Sequence, residues 1–174
     1  MLTQFQSFVE QLMHRHGTRD DLTQAELLTI AENLSALCET IDWHALQLPA
    51  ASRGQEVLHE LAVSSPTGPS AYLISDGIGV TSPPHEHQTW AVIVGVRGKE
   101  LHTKYKVVPG DSRRVEVDTS ISVGAGEVLT LAASDIHSTK VVGDQPTYHV
   151  HLYGVAFSSW PPFSSRCYKT ESAT

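Results

Sequence analysis

The sequence predicts an all-β domain, a small sandwich or barrel, preceded by two helices. Three observations carry this. From about residue 55, short runs with β-branched residues alternate with Gly, Pro, Ser and Asp, the texture of many short strands joined by turns. No helical pattern recurs between those runs, which disfavours a parallel α/β arrangement. The residues before them carry apolar side chains at helical spacing instead.

The first helix is marked by Leu2, Phe5, Phe8, Val9, Leu12 and Met13 on one face, with Gly17 as its stop. The second opens on Thr23 and Glu26, a capping-box pair. Leu27, Leu28, Ile30, Ala31, Leu34, Leu37, Cys38 and Ile41 supply its apolar stripe. Cys38 on that stripe reads as a buried core thiol. The strand runs follow as EVLHELAV, SAYLISDG, TWAVIVGVRG, ELHTKYKVV, RRVEV, SISV, EVLTLAA, HSTKVVG and TYHVHLYGVAF. From Ser158 the chain is rich in Ser and Pro and reads as loop. The expected organisation is a helical segment at 1–52 packed on a barrel at 53–160, with a loop-like tail at 161–174.

Composition narrows the function. A net charge of −7 disfavours a sequence-independent nucleic-acid binder, which needs a basic face, and an anionic membrane surface likewise. No apolar run reaches the length of a membrane span. The start, MLTQFQSFVEQLMHRHG, lacks the pattern of a secretion signal. With only two cysteines, Cys38 and Cys167, a disulfide scaffold is not expected, and a cytoplasmic location is the simplest reading. Exposed barrel edges admit a homodimer.

The chemistry lies in the histidines, ten in all. His85 and His87 stand two apart before an apolar run, so on a strand they share a face. Two imidazoles of this kind can supply two ligands to a divalent metal, and a third makes a catalytic site with open positions. The candidates for the third are His102, His137, His149 and His151, with His44 and His59 as outsiders. Glu86 is expected to face solvent, Trp90 and Trp160 to pack the barrel, and Arg113-Arg114 to be solvated.

Gly79, five residues, His85-Glu86-His87 and then Gly98 resemble the first motif of the cupin superfamily: Gly, five residues, His-x-His, three or four residues, Glu, six residues, Gly. The Glu position falls on Ala91 or Val92. Gly126 and His137 resemble the second motif, with Ala132, Ser134 and Val141 at its Pro, Gly and Asn positions. The resemblance implies a double-stranded β-helix, the cupin or jelly-roll barrel, with N-terminal helices, and metal ligands His85, His87 and His137.

A three-His site without the glutamate resembles the cysteine dioxygenase-like, or thiol dioxygenase, branch, as does HQTWAVIVGVRGKE. That branch carries a Ser-x-His-x-Tyr strand. Here it reads His149-Val150-His151-Leu152-Tyr153, matching at His151 and Tyr153, with His149 in place of the Ser. The resemblance implies a non-heme Fe(II) held by three His, with a small thiol (cysteine or a mercapto acid) and O2 as substrates and a sulfinate as product. Tyr153, His151 and His149 would be the catalytic side chains. In mammalian cysteine dioxygenase a Cys-Tyr crosslink uses a Cys five residues after the second His; that residue is Val92 here, so no crosslink is expected. The branch's carboxylate-binding Arg has Arg53, Arg97 and Arg166 as candidates. The alternative is a non-redox or non-catalytic metal-binding cupin that recognises a small acid or sugar. Because ligation needs neutral imidazole, metal occupancy is expected to fall through about pH 6.

Overall fold

A computed structural model describes residues 1–46 and 48–170. α1 (Leu2–His16) buries Phe5, Val9 and Leu12 and ends at Gly17, whose φ of 62° is a left-handed conformation that glycine adopts without strain. α2 (Gln24–Glu39) begins on the expected capping box. The Glu26 amide donates to Thr23 Oγ1 at 3.2 Å, and the Thr23 amide donates to Glu26 Oε2 at 2.7 Å. Ile41 lies beyond the end of this helix. There Trp43 Nε1 donates to the Cys38 carbonyl at 3.0 Å, satisfying one of the carbonyls a helix end leaves open.

Among the described residues nine strands follow: β1 (Glu56–Val63), β2 (Ser70–Asp76), β3 (Ala91–Arg97), β4 (Lys99–Val107), β5 (Arg114–Gly124), β6 (Val128–Leu131), β7 (Ile136–Val141), β8 (Tyr148–Tyr153) and β9 (Lys169–Thr170). They form a five-stranded sheet in the order β1-β2-β8-β3-β6 and a four-stranded sheet in the order β7-β4-β5-β9. The sequence runs RRVEV and SISV are one strand. Its pairing with β4 continues from Val107↔Val115 to Lys99↔Gly124. The register shifts between Lys104 and Tyr105, so Asp118 is an extra residue in a bulge rather than a break.

The two sheets curl around a shared interior. On the five-stranded sheet, period two sends alternate residues to opposite faces, and both faces are buried. Leu73, Val92, Val94, Val150 and Leu152 face outward into a cluster with Phe5, Val9, Leu27, Ile30 and Leu34 of the helices. Tyr72, Ile74, Ala91, Ile93 and Tyr153 face inward with Val123, Leu129 and Leu131. Each buried Leu, Ile or Val contributes roughly 1.5–3 kcal/mol over exposure. The helices are therefore part of the core. Trp90 pins them, burying its ring and donating from Nε1 to the Arg19 carbonyl at 3.0 Å.

On β8 the inward positions are His149, His151 and Tyr153. Polar side chains thus enter the barrel interior by the same alternation that sends Val150 and Leu152 to the helices. No described helix is long and apolar enough to cross a membrane.

Gly95 is a point of close approach between the two sheets. A Cβ there would stand 1.9 Å from the Gly124 carbonyl oxygen of β5. Gly95→Ala is expected to cost about 2 kcal/mol or more, since backbone must move to admit the methyl. Urea denaturation at neutral pH measures it, and a loss under 0.5 kcal/mol would show that the sheets can part easily.

Candidate metal centre

His85 and His87 do not sit on a regular strand, which corrects the sequence expectation. Pro83 and Pro84 lack amide donors, so a continuous ladder cannot run through them. The segment instead makes single β-bridges, Thr81↔Lys140, His85↔His137 and His85↔Cys167. The His85 amide donates to the His137 carbonyl at 2.8 Å, and the His137 amide donates back at 2.9 Å. These two bonds bring the His85 loop and β7 together. Gln88, at φ 58°, turns the chain sharply before β3.

The three side chains are buried, and one ring nitrogen from each lies within 4.8 Å of the others. His85 Nδ1 donates to the Pro83 carbonyl at 2.9 Å, leaving Nε2 bare. His137 Nε2 is 3.3 Å from His87 Nε2. Two nitrogens bound at 2.0–2.1 Å to one tetrahedral ion stand roughly 3.3 Å apart, so the pair already has ligand spacing. Burial lowers His85 to about 4 and holds His87 and His137 well below the ordinary imidazole value. All three are neutral, as ligation requires, and the His85 value carries this well below pH 6. The residues present therefore fit a divalent metal. Of the two sequence positions open for the missing glutamate, Ala91 faces the interior and Val92 packs toward the helices.

His151 and Tyr153 stand beside this cluster. His151 Nδ1 and the Tyr153 hydroxyl are hydrogen-bonded at 2.8 Å. The Tyr153 ring meets His87 edge-on, with centroids 5.0 Å apart. Burial lowers His151 to about 3 and holds Tyr153 well above the ordinary phenol value, so the pair is a neutral imidazole and a neutral phenol. His149 is placed elsewhere. It is fully buried, with Nε2 donating to the Val123 carbonyl at 3.2 Å and Nδ1 lying 3.0 Å from Glu100 Oε1. It does not line the cavity, unlike His151 and Tyr153.

His102, a candidate third ligand, is fully buried on β4, and its Nδ1 is 3.4 Å from His137 Nδ1. Glu100, two residues earlier on the same strand face, was missed altogether. The available signal was period two: Glu100, His102 and Lys104 alternate with Leu101 and Thr103, but polarity alone does not say which phase faces inward.

The cluster opens into a cavity of about 530 Å³, large enough for a small molecule. Of the three candidate arginines, Arg166 lines it, while Arg53 and Arg97 are exposed outside it. Arg166 comes from the tail, which is more structured than a loop. It forms 3₁₀ turns at Phe157–Ser159 and Phe163–Arg166, then β9; residues 171–174 lie outside those described. The Tyr168 amide donates to the Pro84 carbonyl at 2.8 Å, so the tail is bonded to the histidine loop. Arg166 Nη1 donates to the Glu86 carbonyl at 2.7 Å. Its Cζ lies 4.5 Å from the Trp160 ring centre. Among the described residues it has no ion-pair partner. Trp160, expected to pack the barrel, is a cavity wall. Glu86 is half-buried, and Arg113 Nη1 donates to the Ser165 carbonyl at 3.0 Å.

No known protein-family profile matches this sequence, and no curated protein does. Solved structures match. A cupin superfamily protein from Desulfitobacterium hafniense aligns over 67% of this chain and 90% of its own, at 17% identity and a TM-score of 0.50. Oxalate oxidase in complex with the substrate analogue glycolate aligns over 62% of this chain and 56% of its own, at 19% identity and 0.49. The cupin domain of Schizosaccharomyces pombe Cnp3 aligns over 64% and 72%, at 12% and 0.49. At such identities the likeness is one of fold. With the D. hafniense protein as its counterpart, the chain has the cupin fold, a curled two-sheet β-barrel carrying N-terminal helices.

Asp76 lies on the same cavity, buried, with Oδ1 lacking a hydrogen-bond partner among the described residues. Burial first, then the Glu100 and Glu56 charges, push it up to about 7. The native state thus holds a proton that the unfolded chain releases near pH 4. The associated stability is full below that point and is lost as pH rises toward 7. Asp76→Asn is expected to match the wild type in thermal unfolding at pH 4.5 and to exceed it by roughly 5 °C at pH 8. Equal differences at both pH values would refute the assignment.

Proposed function

We propose that the protein is a non-heme iron(II) thiol dioxygenase acting on a small thiol that bears a carboxylate. The observation that carries this is the ring of three neutral imidazoles, His85, His87 and His137, with Ala91 at the inward position where an acidic ligand would stand. Three neutral ligands leave the full charge of a divalent ion uncompensated. Such a site favours an anionic donor, and a thiolate is the soft one. Iron(II), when bound, supplies Lewis acidity toward the thiolate and redox activation of O2. The net reaction is RS⁻ + O2 → RSO2⁻: the sulfur gives up four electrons, O2 takes them, and both oxygen atoms end on sulfur.

The chain's own residues supply orientation. The neutral Tyr153 hydroxyl, fixed by His151 at 2.8 Å, is a polar group on the cavity beside the three-histidine cluster. Arg166 offers a cation with no carboxylate already on it, and is suited to the carboxylate of the substrate. Trp160, Phe157 and Phe163 give the cavity apolar walls that keep water from the thiolate and strengthen the charge contact.

Oxygen uptake by the iron-loaded protein is the test, with cysteine, 3-mercaptopropionate, mercaptosuccinate and cysteamine. Uptake is expected with one or more of the carboxylate thiols and to be weakest with cysteamine, which has no carboxylate. No uptake with any thiol sinks the proposal. His137→Ala is expected to abolish stoichiometric iron binding. Arg166→Leu is expected to raise KM for a carboxylate thiol by about 10- to 100-fold, the worth of a charge-assisted hydrogen bond, with a smaller effect on kcat. Tyr153→Phe should lower kcat more than it changes KM.

A further inference from the structure

Behind His137, away from the cavity, runs a line of buried polar side chains that the reaction above does not use. His102 and His137 lie within 3° of parallel, with ring centroids 5.6 Å apart. That separation is close to the largest that their 3.4 Å Nδ1–Nδ1 contact permits. The rings therefore meet edge to edge, nitrogen toward nitrogen. His102 Nε2 then lies 3.4 Å from Glu100 Oε2, and His149 Nδ1 lies 3.0 Å from Glu100 Oε1. Thr147 Oγ1 donates to Glu100 Oε1 at short range. Glu100 Oε2, His102 Nε2 and His149 Nδ1 have no other polar partner among the described residues, so these contacts, bent or long as they are, are the only ones available to them.

We propose that Glu100, acting through His102, is the positioning residue for His137, fixing which of its nitrogens faces the metal. The argument is one of hydrogen-bond polarity. An ionised carboxylate only accepts, so the His102 nitrogen facing it, Nε2, carries the hydrogen. In that tautomer His102 has a bare Nδ1, which can only accept. The His137 nitrogen facing it, Nδ1, must carry the hydrogen, and His137 Nε2 is left bare beside His87. At the far end, His149 faces two acceptors, Glu100 and the Val123 carbonyl. Both its nitrogens carry hydrogens, so it is an imidazolium that balances the Glu100 charge. Burial would raise the Glu100 carboxyl, but His102 and His149 outweigh it and hold it well below the carboxylate range. Burial would lower His149, yet Glu100 outweighs it and raises that ring. A ligating His commonly donates its other N–H to a carboxylate; here one imidazole is interposed. The acid missing at Ala91 thus has a counterpart one step behind the ligand ring. It orients a ligand without placing charge on the metal.

The proposal rests on His137 being a metal ligand, and the test separates the two. Zinc affinity is measured by chelator competition for the wild type, Glu100→Gln, His102→Phe and the double variant. Each single variant is expected to bind about 10- to 100-fold more weakly. The double variant should lose little more than either, since both act through one contact. Unchanged affinity in both single variants overturns the relay while leaving the metal centre standing. A wild type that binds no zinc and no iron overturns the metal centre itself. Folding of the variants does not limit the test, because ¹⁵N-histidine spectra of the zinc-loaded wild type read the same arrangement directly. The expected pattern is a hydrogen on His137 Nδ1 and on His102 Nε2, with His102 Nδ1 bare. A hydrogen on His102 Nδ1 overturns the proposal.

Discussion

The two N-terminal helices cover the outer face of the five-stranded sheet, so β2, β8 and β3 as far as Gly95 are buried on both sides. This condition governs the interior of the barrel. Any polar side chain sent inward by the strand alternation has lost its solvent and must find a protein partner or go without. His151 finds Tyr153, and His149 finds Glu100 and Val123. His85 and His137 each spend one nitrogen on a neighbour and keep the other bare. The same desolvation holds His85, His87, His137 and His151 neutral, which is the state that metal chemistry needs.

The interior separates two electrostatic regimes within one barrel. Toward the cavity stand neutral imidazoles, a neutral phenol and the cation Arg166, with Asp76 and Glu56 on the same lining. Toward the β4 side stands a compensated pair, Glu100 and His149, sealed from water. Breaking such a pair by removing one member leaves a buried charge alone and is strongly destabilising. Glu100 stands behind His102 rather than beside His137, so its charge is held away from the three-histidine cluster. The tail completes that side of the molecule: by bonding to the His85 loop it carries Arg166, Trp160 and Phe163 to the cavity wall.

Much of the local structure was legible in the chain. The Thr23–Glu26 box, the stop at Gly17 and the strand runs depend on contacts within a few residues, and they stand where periodicity places them. So does the shared face of His149, His151 and Tyr153, which period two sets apart from Val150 and Leu152. Pro83 and Pro84 turn the presumed strand of His85 and His87 into a bridged loop. Asp118, which looks like a break, is a bulge inside a long hairpin.

The class of fold was legible from the succession of short strand runs after two helical stretches, and the grouping of His85 with His87 and of His151 with Tyr153 from spacing along one segment. Only the tertiary structure decided that His102 and Glu100 back His137, that His149 belongs to them rather than to the cavity, and that Arg166 reaches the cavity while Arg53 and Arg97 do not. Those juxtapositions join residues tens of positions apart. They depend on which sheet edge meets which loop, a choice made by burial of the whole barrel and written in no single stretch of chain.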